Sequence, residues 1–286
     1  MRFISFIRNN VVGIATKNTD GTYRGLMQTD RNFPGDVTSL LQAGAKALTS
    51  AGNLLAADGV IVDPAECTFL PPITRPEKII CVGLNYADHS LEAGYQVPDY
   101  PTLFARFPHS LIGHETPIKR PRESGQLDYE GELVAVVGRQ GRRIPKASAL
   151  SYVAGYTAFN DATLRDYQFR TPQWTMGKNF DGTGAIGPEF VTADEIPSGA
   201  SGLRIQTRLN GEVVQDANTS QMVFDVATLV ALISDAMTLQ PGDLIVTGTP
   251  SGIGMARTPQ LWMKPGDICE VEIEKIGVLR NAIEMD

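Results

Sequence analysis

A chain of 286 residues, 42% of them apolar, can bury a substantial core as one large domain or as a large domain with a small appendage. Its formal charge of −7 argues against nucleic-acid or anionic-membrane partners, so an anionic substrate has to be met by local positive charge. Cys67, Cys81 and Cys269 are too few and too scattered for a disulfide framework or a zinc site. With no secretory pattern in MRFISFIRNN and no membrane-length apolar run, the expectation is a cytoplasmic protein with reduced thiols.

The chain opens with a predicted hairpin, Phe3 to Ile7 and Val11 to Ala15, around a turn at Asn9-Asn10. A helix follows, capped by Asp36, with Val37, Leu41, Ala45 and Leu48 on one stripe. The proline-rich LPPITRPEK then punctuates the chain, and a domain boundary is expected there, dividing 1–72 from 73–286. Beyond it short strands are predicted at Lys78 to Val82, Leu133 to Val137, Leu203 to Leu209, Leu244 to Val246 and Ile268 to Ile273. One strong helix interrupts them, capped by Asp225, with Val226, Leu229, Val230, Ile233 and Met237 on its apolar face. The expected fold is a β-dominated α+β core, closed or rolled so that its interior strands are covered.

In LDYEGELVAVVG, Glu130 and Glu132 share one face of a strand, and the apolar run after them places that strand inside the protein. Two buried like charges either share a proton or bind a cation, and a third carboxylate, Asp161 in NDATLRDYQ, favours the cation. Glu270, Glu272 and Glu274 repeat the spacing, but Cys269, Val271 and Ile273 alternate with them, as on a strand with one wet face. All-carboxylate ligation selects a hard cation and leaves coordination positions for other oxygen ligands.

In GLNYADHSLEAG, His89 and Glu92 are three residues apart, on one face of a helix, where a carboxylate orients and activates an imidazole. Glycine and short residues around His89 to Gly94 suggest a lid. The Gly-rich GTGAIG and TGTPSGIG runs lack the lysine and the strand-to-helix context of a phosphate loop.

GLNYADH with a Glu three residues on, DYEGEL, NDATLRDYQ, GKNFDGTGAIGP and VTGTPSGIG resemble, in order and spacing, the fumarylacetoacetate hydrolase family over residues 73–286. The resemblance implies a mixed β-sandwich roll with a small α/β leading domain, one Mg²⁺ or Mn²⁺ per subunit, and a homodimer or dimer of dimers. It implies Glu130, Glu132 and Asp161 as metal ligands and His89 with Glu92 as the water-activating dyad. Lys178 would stand beside the metal as a catalytic residue that also contacts substrate, and Arg106, Gln168 and Thr249 would contact substrate with it.

The implied reaction is hydrolysis of a C–C bond in a 2,4-dioxo acid, an acylpyruvate or a diketo-deoxy sugar acid. Water activated by the dyad attacks the 4-oxo carbon, releasing pyruvate and a second acid. Decarboxylation or 2-oxo-3-ene isomerisation is the alternative within the family. A non-catalytic metal-stabilised oxo-acid-binding protein would need the chelate but no base. His109 and His114 depart from the family's usual pattern and point to a polar tail such as that of a diketo-deoxy sugar acid.

Overall fold

The computed structural model describes residues 1–286. Strands β1 (Arg2–Arg8) and β2 (Val11–Lys17) form the hairpin expected, closed by Asn9 and Asn10, both at positive φ as a tight hairpin turn requires. Strand β3 (Tyr23–Met27) follows. The helical stripe is broken into α1 (Val37–Ala43) and α2 (Ala45–Asp58), because Gly44 takes a φ of 97° that ends the first helix. Val37, Leu41 and Leu48 are buried as expected, whereas Ala45 starts the second helix and is exposed. Strands β4 (Val60–Val62) and β5 (Thr68–Leu70) complete the leading segment.

Next come β6 (Ile79–Gly83), the short helix α3 (Ala87–Glu92), β7 (Thr102–Arg106), β8 (Leu111–Ile112), β9 (Ile118–Arg120) and β10 (Leu127–Asp128). The central strands are β11 (Gly131–Val137) and β12 (Val153–Asp161), followed by β13 (Thr163–Leu164) and the single turns α4 (Arg165–Gln168) and α5 (Thr175–Lys178). The chain ends with β14 (Gly184–Thr192), β15 (Arg204–Leu209), β16 (Glu212–Asn218), α6 (Val226–Ala236), β17 (Leu244–Val246), β18 (Ile268–Ile273) and β19 (Gly277–Met285). No helix is long and apolar enough to cross a membrane.

Two sheets dominate. The larger runs β4-β3-β2-β1-β14-β12-β11-β17-β6-β7, with β5 also on β1 and β8 on β14, and the smaller runs β16-β15-β18-β19-β9. The leading segment therefore belongs to the same sheet as the rest, joined where Arg2 and Phe3 meet Val191 and Phe190. Strand β11, buried at every residue, divides its side chains between two cores. Leu133, Ala135 and Val137 face the smaller sheet and α6, and Val134 and Val136 face α1 and α2. On β18 the glutamates behave as a wet face, with Glu270 and Glu272 paired to Arg208, and Glu274 just past its end is exposed.

Candidate metal and oxo-acid site

The Glu-Gly-Glu spacing has a packing reason. Gly131 points at the smaller sheet, where a Cβ would lie 2.2 Å from Thr207 Oγ1, so only glycine lets the two sheets approach there. Its amide donates to Gln215 Oε1 across the gap. Glu130 and Glu132 consequently point the other way. Asp161, at the end of β12, lies beside Glu130, and its amide donates to the Glu130 carbonyl at 2.9 Å. One oxygen from each of the three carboxylates falls within 4.8 Å of the others, and all three residues are buried.

Three cations surround the carboxylates. Lys178 Nζ lies 2.6 Å from Glu130 and 2.7 Å from Asp161. Arg165 donates from Nε to Asp128 at 2.8 Å and brings Nη2 to 2.7 Å from Glu130, outside hydrogen-bond geometry. Arg106 bonds Asp161 from the side away from the cavity. Four carboxylates, Asp128 included, thus face three cations. Burial raises Glu130, but Lys178 and Arg165 outweigh it and hold this acid well below the usual range. Glu132 has only the Gly248 amide as a donor, and burial with the charges of Asp161 and Glu130 pushes it well up.

This donor set fits a hard divalent cation. It is all oxygen, it is held by strand ends, and its uncompensated acid is what one more positive centre would relieve.

A narrow cavity, part of it open to solvent, lies in front of the carboxylates and is lined by Glu130, Glu132, Lys178, Gln168, Thr249 and His89 among others. His89 comes from α3, and Glu92 Oε1 lies 3.5 Å from its Nδ1. Glu92 also accepts hydrogen bonds from the amides of Gly252 and Ile253, which tie α3 to the TGTPSGIG loop. Burial would raise Glu92, but His89 and these amides bring it below the ordinary value. The segment expected as a lid is therefore docked through Glu92. Gly248, at φ 97°, lets the same loop pass where a Cβ would come within 2.8 Å of Asn85 and the Val82 carbonyl.

Two expected substrate contacts are engaged differently. Thr249 lines the cavity, but its hydroxyl already donates to the Gly131 carbonyl and accepts from Gln215. Arg106 does not reach the cavity. Its side chain is fully buried behind Asp161, bonded also to Thr183 and Ser110 and lying over the Phe159 ring. The expectation that Arg106 grips substrate is thus corrected. Phe104 and Arg106 share a face of β7, and only Phe104 is near enough to the cavity to line it.

His109 is exposed near Asp181. His114 is half-buried, accepts from the Arg280 amide and meets Phe69 edge to face, and burial lowers its pKa. Neither histidine lines the cavity, which removes the ground for a polar tail.

Sequence reasoning passed over Asp128 and Arg165. Asp128 lies on the same alternation as Glu130 and Glu132, and three acids on one buried face call for a cation nearby. Arg165, four residues after Asp161 and three before Gln168, was within reach of that signal.

The comparisons agree with this architecture. The family model described as "Fumarylacetoacetate (FAA) hydrolase C-terminal" matches residues 78–284. The chain is 43% identical to the rat protein "Oxaloacetate tautomerase Fahd2a, mitochondrial", over 89% of this chain and 81% of that one. It is 39% identical to the human "Oxaloacetate tautomerase FAHD2A, mitochondrial", over 99% and 91%. Among solved structures, a fumarylacetoacetate hydrolase from Exiguobacterium antarcticum superposes with a TM-score of 0.86 at 32% identity, over the full length of both chains. A 5-carboxymethyl-2-hydroxymuconate delta-isomerase from Mycobacterium smegmatis superposes at 0.78 and 30%, over 100% and 99%. A match over most of the chain, with the carboxylate triad at its centre, establishes that this chain belongs to the fumarylacetoacetate hydrolase family.

Proposed function

We propose that the chain is a divalent-cation-dependent enzyme that moves a proton at the carbon next to the ketone of a 2-oxo acid, a tautomerase or isomerase. The observation that carries this reading is an imidazole–carboxylate pair in which His89, held by Glu92, lines the same cavity as Glu130 and Glu132 of the carboxylate triad. A proton shift needs a group that takes and returns a proton and a positive environment for the oxygen that gains charge.

Glu130, Glu132 and Asp161 would hold the cation. When bound, Mg²⁺ or Mn²⁺ supplies Lewis-acid polarisation of the 2-oxo acid's oxygens. His89 removes the C3 proton, the C–H electrons become the C2–C3 double bond as the C2=O π pair moves onto oxygen, and the proton returns to that oxygen or, where the enolate is conjugated with a further double bond, to the far carbon of that system. Glu92 keeps the imidazole oriented and stabilises its protonated form. Arg165 and Lys178 add positive charge beside the substrate's carboxylate end. The relatives named as tautomerases and an isomerase favour this order of preference.

Hydrolysis of a 2,4-dioxo acid is the second reading. It uses the same dyad on a water, which the solvent-open side of the cavity admits.

A product screen by NMR separates the two readings, with oxaloacetate, acylpyruvates and 2-hydroxy-2,4-dienoic acids offered alongside Mg²⁺ or Mn²⁺. Conversion of enol to keto form, or a shifted double bond, above the metal-only rate and lost in His89→Ala supports proton transfer. Pyruvate with ¹⁸O from H₂¹⁸O in the second acid supports hydrolysis instead.

A further inference from the structure

Four successive backbone amides, 252–255, are shared between two carboxylates. Gly252 and Ile253 donate to Glu92, at 2.8 and 3.2 Å. Gly254 and Met255 donate to Asp128, at 2.7 and 3.0 Å. Glu92 belongs to the dyad, whereas Asp128 ends β10, two residues before Glu130, and does not line the cavity.

Asp128 is fully buried and its acceptor positions are used up. Besides the loop amides, Oδ1 accepts from the Tyr129 amide at 2.9 Å and Oδ2 from Arg165 Nε at 2.8 Å, two donors to each oxygen. The acid is thus committed to holding its neighbours. Gly254 is what lets the loop reach it, since a Cβ there would lie 1.8 Å from the Leu261 carbonyl oxygen and 2.7 Å from Asp128 Oδ1. Arg165 is in turn braced by Gln168, which accepts from its Nη1 at 2.9 Å. A continuous chain of contacts runs from Arg165 through Asp128 and the 252–255 stretch to Glu92 and His89.

Resting on the proton-transfer reading of the site, we propose that Asp128 is a positioning residue for the His89–Glu92 dyad, its carboxylate fixing the 252–255 stretch on which Glu92 docks. Without it the buried Gly254 amide and the Met255 amide lose their acceptor, and the loop shifts to satisfy them. A base displaced by about 1 Å can lose about 100-fold in rate.

The test is Asp128→Asn, which keeps the shape but turns an N–H₂ toward two of the four donors. In Mg²⁺-loaded protein the rate of deuterium exchange at C3 of saturating 2-oxobutanoate should fall about 30-fold. By hydrogen-exchange NMR the Gly252 and Ile253 amides, which bond Glu92 and not Asp128, should open about tenfold more readily. Mn²⁺ affinity by electron paramagnetic resonance should stay within about threefold, whereas a merely structural acid so near Glu130 would lower it in step with the rate. Asp128→Glu, which keeps the charge but not the reach, should behave in the same way if the asparagine variant does not fold. Should neither fold, Glu92→Gln decides: the Gly254 and Met255 amides should stay protected there, and their opening together with Gly252 and Ile253 overturns the proposal. So does a folded Asp128 variant with a wild-type rate, with unchanged protection at Gly252 and Ile253, or with Mn²⁺ affinity lost in step. Each of these leaves the proton-transfer reading intact, whereas no exchange above the metal-only rate in the wild type overturns both.

Discussion

Asp161 is held at both oxygens, Oδ1 by Arg106 and Oδ2 by Lys178, and the two cations do different work. Arg106 is sealed behind the site, so Arg106→Met leaves a buried carboxylate short of its partner. Thermal or urea unfolding without substrate should show a loss of about 3 kcal/mol. A variant of normal stability with only a raised KM would restore Arg106 to the substrate.

Glu132 is the acid with least compensation, and Glu132→Gln separates ligation from folding. Without metal the variant should be at least as stable as the parent, because a charge beside Glu130 and Asp161 is gone. Its Mn²⁺ affinity by electron paramagnetic resonance should nevertheless fall at least 100-fold, whereas Glu272→Ala on the wet face of β18 should leave it unchanged. Equal losses in both would mean the wrong carboxylates. The E-x-E spacing and Asp161 were legible in sequence because strand alternation is local. Arg106 misled because an arginine in LFARF reads the same whether it points at a cavity or beneath one.

At the scale of elements, Glu189 on β14 fastens the leading strands to the rest. Its buried carboxylate accepts from Tyr23, from Arg2 at 2.8 Å and from Lys17 at 3.0 Å, on β3, β1 and β2 respectively. Burial would raise its pKa, but the hydrogen bonds from Tyr23, Arg2 and Lys17 bring it below the ordinary value. A depressed carboxylate contributes stability that is present above its unfolded pKa and lost as pH falls through the folded one. Glu189→Ala should therefore cost about 2 kcal/mol near neutrality, discounted for the part-exposed Arg2 and Lys17. The difference from wild type should narrow below about pH 4.5. A difference that stays constant down to pH 3 would contradict this role.

The hairpin at Asn9-Asn10 and the helix capped by Asp225 were legible, since turn chemistry and capping act over a few residues. The break at Gly44 was not, because the apolar stripe continues in sequence across a glycine that the backbone uses to turn.

For the whole molecule the decisive pairings are long-range. Strand β1 joins β14 across about two thirds of the chain, Arg2 meeting Val191, and β17 runs parallel to β6. No local pattern announces such neighbours, so the sequence pointed to a rolled β core but not to the strand order. The proline-rich segment read as a boundary is crossed by this sheet, and Phe3, Phe190, Ile186 and Phe159 share one core. A fragment of residues 73–286 would uncover that core and the edge of β14. It is expected to be insoluble or to unfold without a cooperative transition. A soluble, cooperatively folding fragment would show instead that the leading segment stands apart energetically.

The central claim is that His89 moves a C3 proton of a 2-oxo acid held at the triad, and it is read most directly by ¹H NMR of 2-oxobutanoate in D₂O. With Mg²⁺ or Mn²⁺ the wild-type protein should replace C3 hydrogens by deuterium well above the metal-only rate. His89→Ala, Glu132→Gln and EDTA-treated protein should each return the rate to that background. Exchange that persists without the cation or without His89, or no exchange above background in the metal-loaded wild type, would contradict it.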